Sequence, residues 1–196
     1  MRFSYEGKTV AITGGGSGIG RAMAIAFAEM GATVGILDRN EAAGRETVRE
    51  ITGGKGSALF YRCDITNYAE VQASLKALRT ASGGLDVLIN NAGIGFVGNV
   101  EETSEADLDR LYNVNVKGTF NGIKAVIPFF KVQGSGVIIN MASIASSVGL
   151  ADRFAYSMSK GAVLTMTYSV AKDYLGHNIR CNCLSPARIH TSFVDN

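Results

Sequence analysis

The sequence predicts an α/β fold in which a doubly wound, Rossmann-type parallel sheet is covered by helices on both faces. Short apolar runs alternate with helical segments along the 196 residues. Most of these runs are apolar on both faces, which is typical of strands buried in a parallel sheet. A glycine-rich loop joins the first strand to the first helix. We treat residues 1–196 as one domain, because 46% hydrophobic residues can form a sizeable core at this length.

Each element is predicted from its own residue pattern. Strands are short apolar runs bounded by glycine or polar residues, and helices have apolar residues at helical spacing. The predicted strands are residues 9–13, 32–37, 57–63, 85–89, 136–141 and 179–184. The predicted helices are residues 18–30, 41–51, 68–81, 104–131 and 153–175.

Composition excludes several classes of function. A net charge of +2 is too small to favour nucleic acid or an anionic membrane as the main partner. No run of 18 apolar residues occurs and the N-terminus lacks an apolar core, so we expect neither a membrane span nor a signal peptide. Cys63, Cys181 and Cys183 predict no disulfide framework and no metal site. Reduced cysteines indicate the cytoplasm.

The loop after the first strand, TGGGSGIG, predicts a phosphate-binding site. Its spacing is G-x-x-x-G-x-G through Gly14, Gly18 and Gly20. Small residues let the backbone approach a pyrophosphate, and the N-terminus of the following helix offers free N–H groups and the positive end of its dipole. The alternative is an ordinary glycine-rich turn.

Asp38 ends the second strand, 18 residues after Gly20. A carboxylate there can accept hydrogen bonds from a ribose 2′-hydroxyl and repel a 2′-phosphate, which favours NAD over NADP. Ser17 supports NAD, because a basic residue at its position would help to bind NADP. Arg39 weakens the case, since it could tolerate a phosphate. A solvated turn is the alternative role of Asp38.

Polar residues also follow the third and fourth strands, on the edge of the sheet where parallel sheets bind ligands. The Asp64 carboxylate could accept a hydrogen bond from the adenine amino group, or it could cap the next helix. The fourth strand ends in Asn90-Asn91-Ala92-Gly93. Gly93 would let the chain pass close to a cofactor, and the two amides could hold loop backbone groups or form a purely structural turn.

Tyr156 and Lys160 lie four residues apart near the start of a predicted helix, so they share one face. A lysine ammonium can stabilise a phenolate and thereby turn tyrosine into a usable base. Ser143 follows the fifth strand, where its hydroxyl could hold a substrate oxygen beside the tyrosine. The spacing of Tyr156 and Lys160 alone is also common in exposed pairs.

Asn115 falls on the apolar face of its predicted helix, because Leu108, Leu111 and Tyr112 precede it by seven, four and three residues. A buried amide must find hydrogen-bond partners. It either makes a core hydrogen bond or binds a water that relays a proton from Lys160 to solvent.

Together these motifs resemble the short-chain dehydrogenase/reductase family, in its classical subtype. The matching segments are TGGGSGIG, NNAG, NVNVKG, Ser143 and YSMSK, and they occur in the family's order along the whole chain. The resemblance implies a strand order of 3-2-1-4-5-6-7. It implies a catalytic tetrad of Asn115, Ser143, Tyr156 and Lys160. It further implies a dinucleotide site that includes Gly14, Ser17, Gly18, Ile19, Gly20, Asp38, Asp64, Ile65, Asn91, Ala92, Gly93, Tyr156, Lys160, Pro186, Ile189 and Thr191.

The chain departs from this pattern in two ways. Ala187 stands where the family usually has glycine, a change that we expect to be tolerated. Family members also continue for about fifty further residues, which supply a seventh strand and a substrate lid. We therefore expect a missing C-terminal part, with His190 and Thr191 leading into that lid.

The sequence thus predicts an NAD(H)-dependent oxidoreductase that interconverts a secondary alcohol, of sugar or hydroxyacyl type, and its ketone. The alternatives are an NADPH-dependent 3-ketoacyl-type reductase and a non-catalytic dinucleotide-binding sensor. The expected partners are a small-molecule substrate and further copies of the chain in a homodimer or homotetramer, since two long helices are apolar on more than one face.

Overall fold

The structure is a computed structural model that describes residues 3–191. Its strands are β1 (Thr9–Thr13), β2 (Thr33–Asp38), β3 (Ser57–Arg62), β4 (Val87–Asn90), β5 (Gly136–Met141) and β6 (Ile179–Leu184). Its α-helices are α1 (Gly18–Glu29), α2 (Glu41–Gly53), α3 (Tyr68–Ser82), α4 (Glu105–Leu111), α5 (Gly118–Gln133) and α6 (Phe154–Asp173). A π-helical segment, Tyr112–Lys117, joins α4 to α5.

All six strands form one parallel sheet in the order β3-β2-β1-β4-β5-β6. This order confirms the predicted fold class and the first six strands of the predicted order. The order reverses between β1 and β4, and such a switch point opens a crevice at the carboxyl ends of the two strands. The predicted ligand-binding edge of the sheet is therefore the one at the carboxyl ends of β1 and β4. The predicted lid beyond Thr191 lies outside the described residues.

Two apolar layers hold the sheet, one on each face. Along β1, Val10 and Ile12 point into the layer under α1 and α2, whereas Ala11 points into the layer under α3 and α5. This alternation follows from the two-residue period of a strand. Phe130 of α5 is fully buried, and a side chain of this size contributes about 1.5–3 kcal/mol when it is removed from water. Burial on both faces fixes the register that places the loops at the switch point.

One predicted helix is interrupted. Residues 104–131 were expected to form a continuous α-helix, but they form α4, the π-helical segment and α5. In the π-helical segment the Gly118 N–H donates to the Asn113 carbonyl, five residues back. At the start of this segment Leu111 is fully buried, whereas Tyr112 is 51% exposed. The expectation that Tyr112 belongs to the apolar face was therefore wrong.

Other differences lie at element ends. A short 3₁₀ turn, Ile144–Ser146, follows β5, and a second, Leu175–His177, follows α6, which ends two residues earlier than predicted. Cys63, predicted as the last residue of its strand, follows β3. All three cysteines are free thiols. Within residues 3–191, no helix is both long and apolar enough to cross a membrane.

Candidate active site

The glycine loop between β1 and α1 is shaped by three glycines with different roles. Gly14 and Gly18 adopt left-handed backbone conformations, with φ of +66° and +50°, which favour glycine. A Cβ at Gly20 would stand 2.1 Å from the Gly14 carbonyl oxygen, so only glycine lets α1 pack against the loop. Ser17 precedes α1 without capping it through its side chain, and the first turn carries no acidic residue. The first N–H groups of α1 thus present a positive end that suits an anion.

Hydrogen bonds of the Thr13 and Asn91 side chains hold this loop to the end of β4. Asn91 Nδ2 donates to the carbonyls of Thr13 (3.0 Å) and Gly14 (3.1 Å). Thr13 Oγ1 accepts from the backbone N–H groups of Asn91 (3.0 Å) and Ala92 (3.1 Å). The Asn91 amide therefore holds loop backbone groups. Asn90 does not share this role, because it is buried in β4 and donates to Asn140 Oδ1 (2.8 Å).

Two backbone N–H groups hold the Asp38 side chain at the edge of a groove that opens at the carboxyl ends of the strands. Its Oδ2 accepts from the Gly16 N–H (3.0 Å) and its Oδ1 from the Asn40 N–H (2.9 Å). A Cβ at Gly16 would stand 2.9 Å from Asp38 Oδ2, so position 16 has no room for a basic side chain. A carboxylate oxygen has two lone pairs, and each Asp38 oxygen keeps one for a further donor. Arg39 is exposed and lines the same groove.

Asp64 and Ile65 lie on the groove wall beyond β3. Asp64 Oδ1 accepts from both the N–H (2.9 Å) and the hydroxyl (2.8 Å) of Thr66. Asp64 does not cap the next helix, since the cap of α3 is Asn67. Ile65 is buried, and its carbonyl accepts from Asn121 Nδ2 (2.8 Å), which holds it against the wall.

Tyr156, Ser143 and Lys160 come together at the other end of the groove. Lys160 Nζ is buried, donates to the Met141 carbonyl (2.8 Å) and lies 5.9 Å from the centre of the Tyr156 ring. Burial lowers the pKa of Lys160 from 10.5 to about 8. Burial raises the pKa of Tyr156, while a hydrogen bond with Ser143 and the charge of Arg153 act in the opposite direction. The groups that lower the pKa of Tyr156 are thus Ser143 and Arg153, and the predicted lowering by Lys160 is not seen here.

Asn115 lies one layer behind the groove. Its Oδ1 accepts from the Ile94 N–H (2.8 Å), and its Nδ2 donates to the Ile94 carbonyl (2.9 Å) and to Ser159 Oγ (3.0 Å). Its buried side chain thus joins the loop after β4 to α6 through hydrogen bonds. Gly93 passes between Asn115 and Lys160, because a Cβ there would stand 3.0 Å from Asn115 Oδ1 and 3.4 Å from Lys160 Nζ.

These residues line one groove of about 440 Å³, a size that suits a small ligand or cofactor. Of the sequence-predicted site residues, all but Gly20 and Asn115 are on its wall. Gly20 contributes by letting α1 pack against the glycine loop. Asn115 contributes by holding the backbone of Ile94, which lines the groove. Ala187 also lines the groove, and its backbone is not left-handed, so its methyl group causes no strain there. In residues 3–191 no cluster of three or more histidine, cysteine or acidic side chains could hold a metal.

Known proteins share this architecture. A sequence model of the short chain dehydrogenase family matches residues 8–196. The chain belongs to the short-chain dehydrogenase family. It is 47% identical to an uncharacterized oxidoreductase of Thermotoga maritima over 93% of this chain and 72% of that protein. It is 41% identical to a 2-(R)-hydroxypropyl-CoM dehydrogenase of Xanthobacter autotrophicus over 92% of this chain and 74% of that protein.

A solved structure agrees with the sequence relatives of this short-chain dehydrogenase. The 3-ketoacyl-(acyl-carrier-protein) reductase of Brucella melitensis, crystallised with NADH, superposes with a TM-score of 0.93 at 36% identity. The match covers 98% of this chain and 80% of that one. Relatives of this kind are oxidoreductases that act on CH–OH groups, and this short-chain dehydrogenase is one of them.

Sequence reasoning missed a buried polar network behind the dehydrogenase site. Asn140 Nδ2 donates to Thr167 Oγ1 (3.0 Å), whose hydroxyl donates to the Val163 carbonyl (2.8 Å). With the bond from Asn90, this network joins β4, β5 and α6 through side chains that are at most 4% exposed. The signal was Asn140 itself, a polar residue inside an otherwise apolar strand, which requires a buried partner.

Proposed function

We propose that the chain is an NAD(H)-dependent oxidoreductase that interconverts a secondary alcohol and its ketone, with Tyr156 as the acid/base. The observation that carries this proposal is the hydrogen bond between the Tyr156 side chain and Ser143. Tyr156 shares a face of α6 with Lys160, whose buried Nζ lies 5.9 Å from the centre of the Tyr156 ring. A pure binding protein would not need an ionisable phenol paired in this way. The non-catalytic sensor is therefore the weaker alternative.

The groove fits a dinucleotide. The glycine loop leaves backbone N–H groups open at the start of α1, which would hold the pyrophosphate with Ser17, Gly18 and Ile19 beside it. Asp38 would hold the adenine ribose, and Asp64 and Ile65 would border the adenine. The rest of the site would be lined by Asn91, Ala92, Gly93, Pro186, Ile189 and Thr191, all on the groove wall. When bound, the nicotinamide supplies the acceptor for the hydride that leaves the carbinol carbon.

The chain's own residues handle the proton. Ser143 donates a hydrogen bond to the substrate oxygen and holds it beside Tyr156, whose phenolate takes the hydroxyl proton. Burial raises the pKa of Tyr156, and Ser143, Arg153 and the positive ring of an oxidised nicotinamide would offset that rise. Lys160, with a pKa of about 8, is charged at pH 7 but releases its proton more readily than an ordinary lysine, so it can pass a proton onward. The backbone carbonyl of Asn115 accepts from Thr119 Oγ1 (2.8 Å), and it would also accept from a water that carries this proton to solvent.

NAD is the preferred cofactor in this proposal. A 2′-phosphate would meet the Asp38 carboxylate, which two backbone amides hold in place. The absence of room at Gly16 removes one position from which a cation could offset that repulsion. Arg39 favours the second candidate, an NADPH-dependent 3-ketoacyl-type reductase, because it lines the groove next to Asp38. The two candidates differ in cofactor and direction, not in the roles of the tetrad.

Assembly and location complete the proposal. The segment from α4 to α6 exposes large apolar side chains: Tyr112, Phe120, Phe154, Met158 and Tyr168, each between 38% and 60% exposed. A second copy would cover such a surface, so we place the protein in a homodimer or homotetramer. Its free cysteines suit the reducing cytoplasm.

The test is a cofactor and substrate panel. NAD and NADP are each offered with secondary alcohols, sugar alcohols and hydroxyacyl compounds, and reduction is followed by the absorbance of the reduced cofactor. The proposal expects turnover of secondary alcohols with NAD at a higher kcat/KM than with NADP. Binding of either dinucleotide without turnover of any alcohol, and without reduction of any ketone, contradicts it in favour of the sensor.

A further inference from the structure

Apolar side chains lie where the groove passes the carboxyl ends of β2 and β3. Leu37, Cys63 and Ile65 line the groove there, next to Asp38 and Asp64 in the chain. Ile65 is only 8% exposed, so most of its side chain lies against the protein behind the groove. In the proposed function Ile65 borders the adenine, and a flat base needs an apolar wall at a fixed position.

The backbone around Ile65 is held by the two helices next to it. From α3, Glu70 Oε2 accepts from the Asp64 N–H (2.9 Å). From α5, Asn121 Nδ2 donates to the Ile65 carbonyl (2.8 Å). Side chains of two different helices therefore fix neighbouring backbone groups of the groove wall.

Asn121 is an amide inside a helix face that is otherwise apolar. It is 1% exposed, and the buried residues that follow it in α5, from Gly122 to Phe130, are all glycine or apolar. Burying an amide costs free energy unless it is hydrogen-bonded, and an apolar side chain would fill the space without this cost. The bond to the Ile65 carbonyl is what the amide at position 121 provides.

The side chain of Ile65 rests on the same helix. A Cβ at Gly118, the first residue of α5, would stand 2.4 Å from Ile65 Cδ1 and 2.9 Å from Ile65 Cγ1. Gly118 has an ordinary helical φ of −60°, so its backbone does not require glycine. The lack of a side chain at Gly118 instead gives Ile65 room. Gly118 and Asn121 are three residues apart and thus share one side of α5.

We propose that Asn121 is a positioning residue for the adenine end of the cofactor, holding Ile65 by its carbonyl while Gly118 leaves space for the Ile65 side chain. This inference rests on the proposed function, because it assumes that Ile65 borders the adenine. The reacting end of the groove is held by other contacts, those of Asn115 and Lys160. Loss of the Asn121 amide therefore weakens cofactor binding and leaves the chemical step unchanged.

The experiment titrates wild type, Asn121→Leu and Gly118→Ala with AMP and with reduced nicotinamide mononucleotide, which lacks the adenine. Leucine has a shape close to that of asparagine but cannot donate, whereas Gly118→Ala keeps the donor and forces the Ile65 side chain to move. For both variants we expect the Kd of AMP to rise about 5- to 30-fold. The Kd of reduced nicotinamide mononucleotide, and kcat at saturating NAD, should stay close to the wild-type values.

Gln133→Leu is the matched control. Gln133 is the last residue of α5, and its Nε2 donates to the Leu85 carbonyl (3.1 Å), at the opposite edge of the sheet from the groove. An amide with a purely structural role lowers the free energy of unfolding and leaves the affinity of the folded protein unchanged. Urea unfolding and AMP titration of Gln133→Leu should show this pattern.

Ile65→Ala separates this inference from the proposed function, since it should itself weaken AMP binding. If it does so while Asn121→Leu binds AMP like wild type, or loses affinity equally for both fragments, the inference is overturned and the proposed function stands. Should Asn121→Leu not fold, the same two outcomes in Gly118→Ala decide. A wild type that does not bind AMP, or an Ile65→Ala variant with wild-type affinity for it, contradicts the proposed adenine site and the inference with it.

Discussion

Replacing Lys160 with methionine should make the folded protein more stable at neutral pH while it removes activity. Lys160 is 6% exposed, and its Nζ donates to the Met141 carbonyl. Its pKa falls from 10.5 to about 8 on folding. Because one pKa unit corresponds to about 1.4 kcal/mol, keeping this lysine charged in the core costs about 3 kcal/mol at pH 7.

The substitution also removes a donor. Leaving the Met141 carbonyl without its partner costs about 1–3 kcal/mol, and this cost does not depend on pH. The expected net effect at pH 7 is a gain of about 1 kcal/mol in the free energy of unfolding. Between pH 8 and 10.5 the unfolded chain binds more protons than the folded chain, so the stability of wild type rises with pH. The advantage of Lys160→Met should therefore shrink by about 2 kcal/mol between pH 7 and 9.5.

The assay is urea unfolding followed by circular dichroism at pH 7, 8 and 9.5, with wild type and Lys160→Met side by side. Lys172→Met is the control, because Lys172 is an exposed lysine in the last turn of the same helix. The difference between control and wild type should stay constant with pH. A constant difference for Lys160→Met as well would refute the claim that Lys160 is held in the core at the cost of stability.

Two further predictions concern the cofactor and the assembly. Asp38→Ala should lower the ratio of kcat/KM with NAD to kcat/KM with NADP by at least about tenfold. The substitution removes both the acceptor for the ribose hydroxyl and the charge that repels a 2′-phosphate. An unchanged ratio would make Asp38 a turn residue only. Light scattering at micromolar concentration should give a dimer or tetramer mass, with Phe120→Glu shifting it towards the monomer, since Phe120 is 46% exposed on the apolar surface; a monomeric wild type contradicts this surface as an interface.

Much of the fold could be predicted because its signals are local in sequence. Apolar runs and glycines fixed the six strands and the loop after β1, and the order of motifs placed Ser143, Tyr156 and Lys160 on one edge. The π-helical segment was not predicted, because one wider turn inserts a single residue into the apolar spacing and leaves apolar residues at helical intervals on either side. It is explained by the tertiary contact that it permits, in which Asn115 meets both backbone groups of Ile94.

Electrostatics and buried contacts were also beyond the sequence. The pKa of Lys160 depends on how deeply α6 packs against β5, and sequence spacing gives only its face of the helix. The network through Asn140 and Thr167 joins residues 27 positions apart, so neither predicts the other. Asp64 shows the same limit, because the sequence left open whether it caps the next helix; in the structure it forms an Asx turn with Thr66 and Asn67 is the cap.

The most direct test of the central claim is the turnover of Tyr156→Phe with its best alcohol, measured together with its dissociation constant for NADH. The substitution keeps the ring and removes only the ionisable hydroxyl that contacts Ser143. We predict that kcat falls by about 10²–10⁴-fold while NADH binding stays close to that of wild type. A variant that turns over at a rate near wild type would show that Tyr156 is not the acid/base.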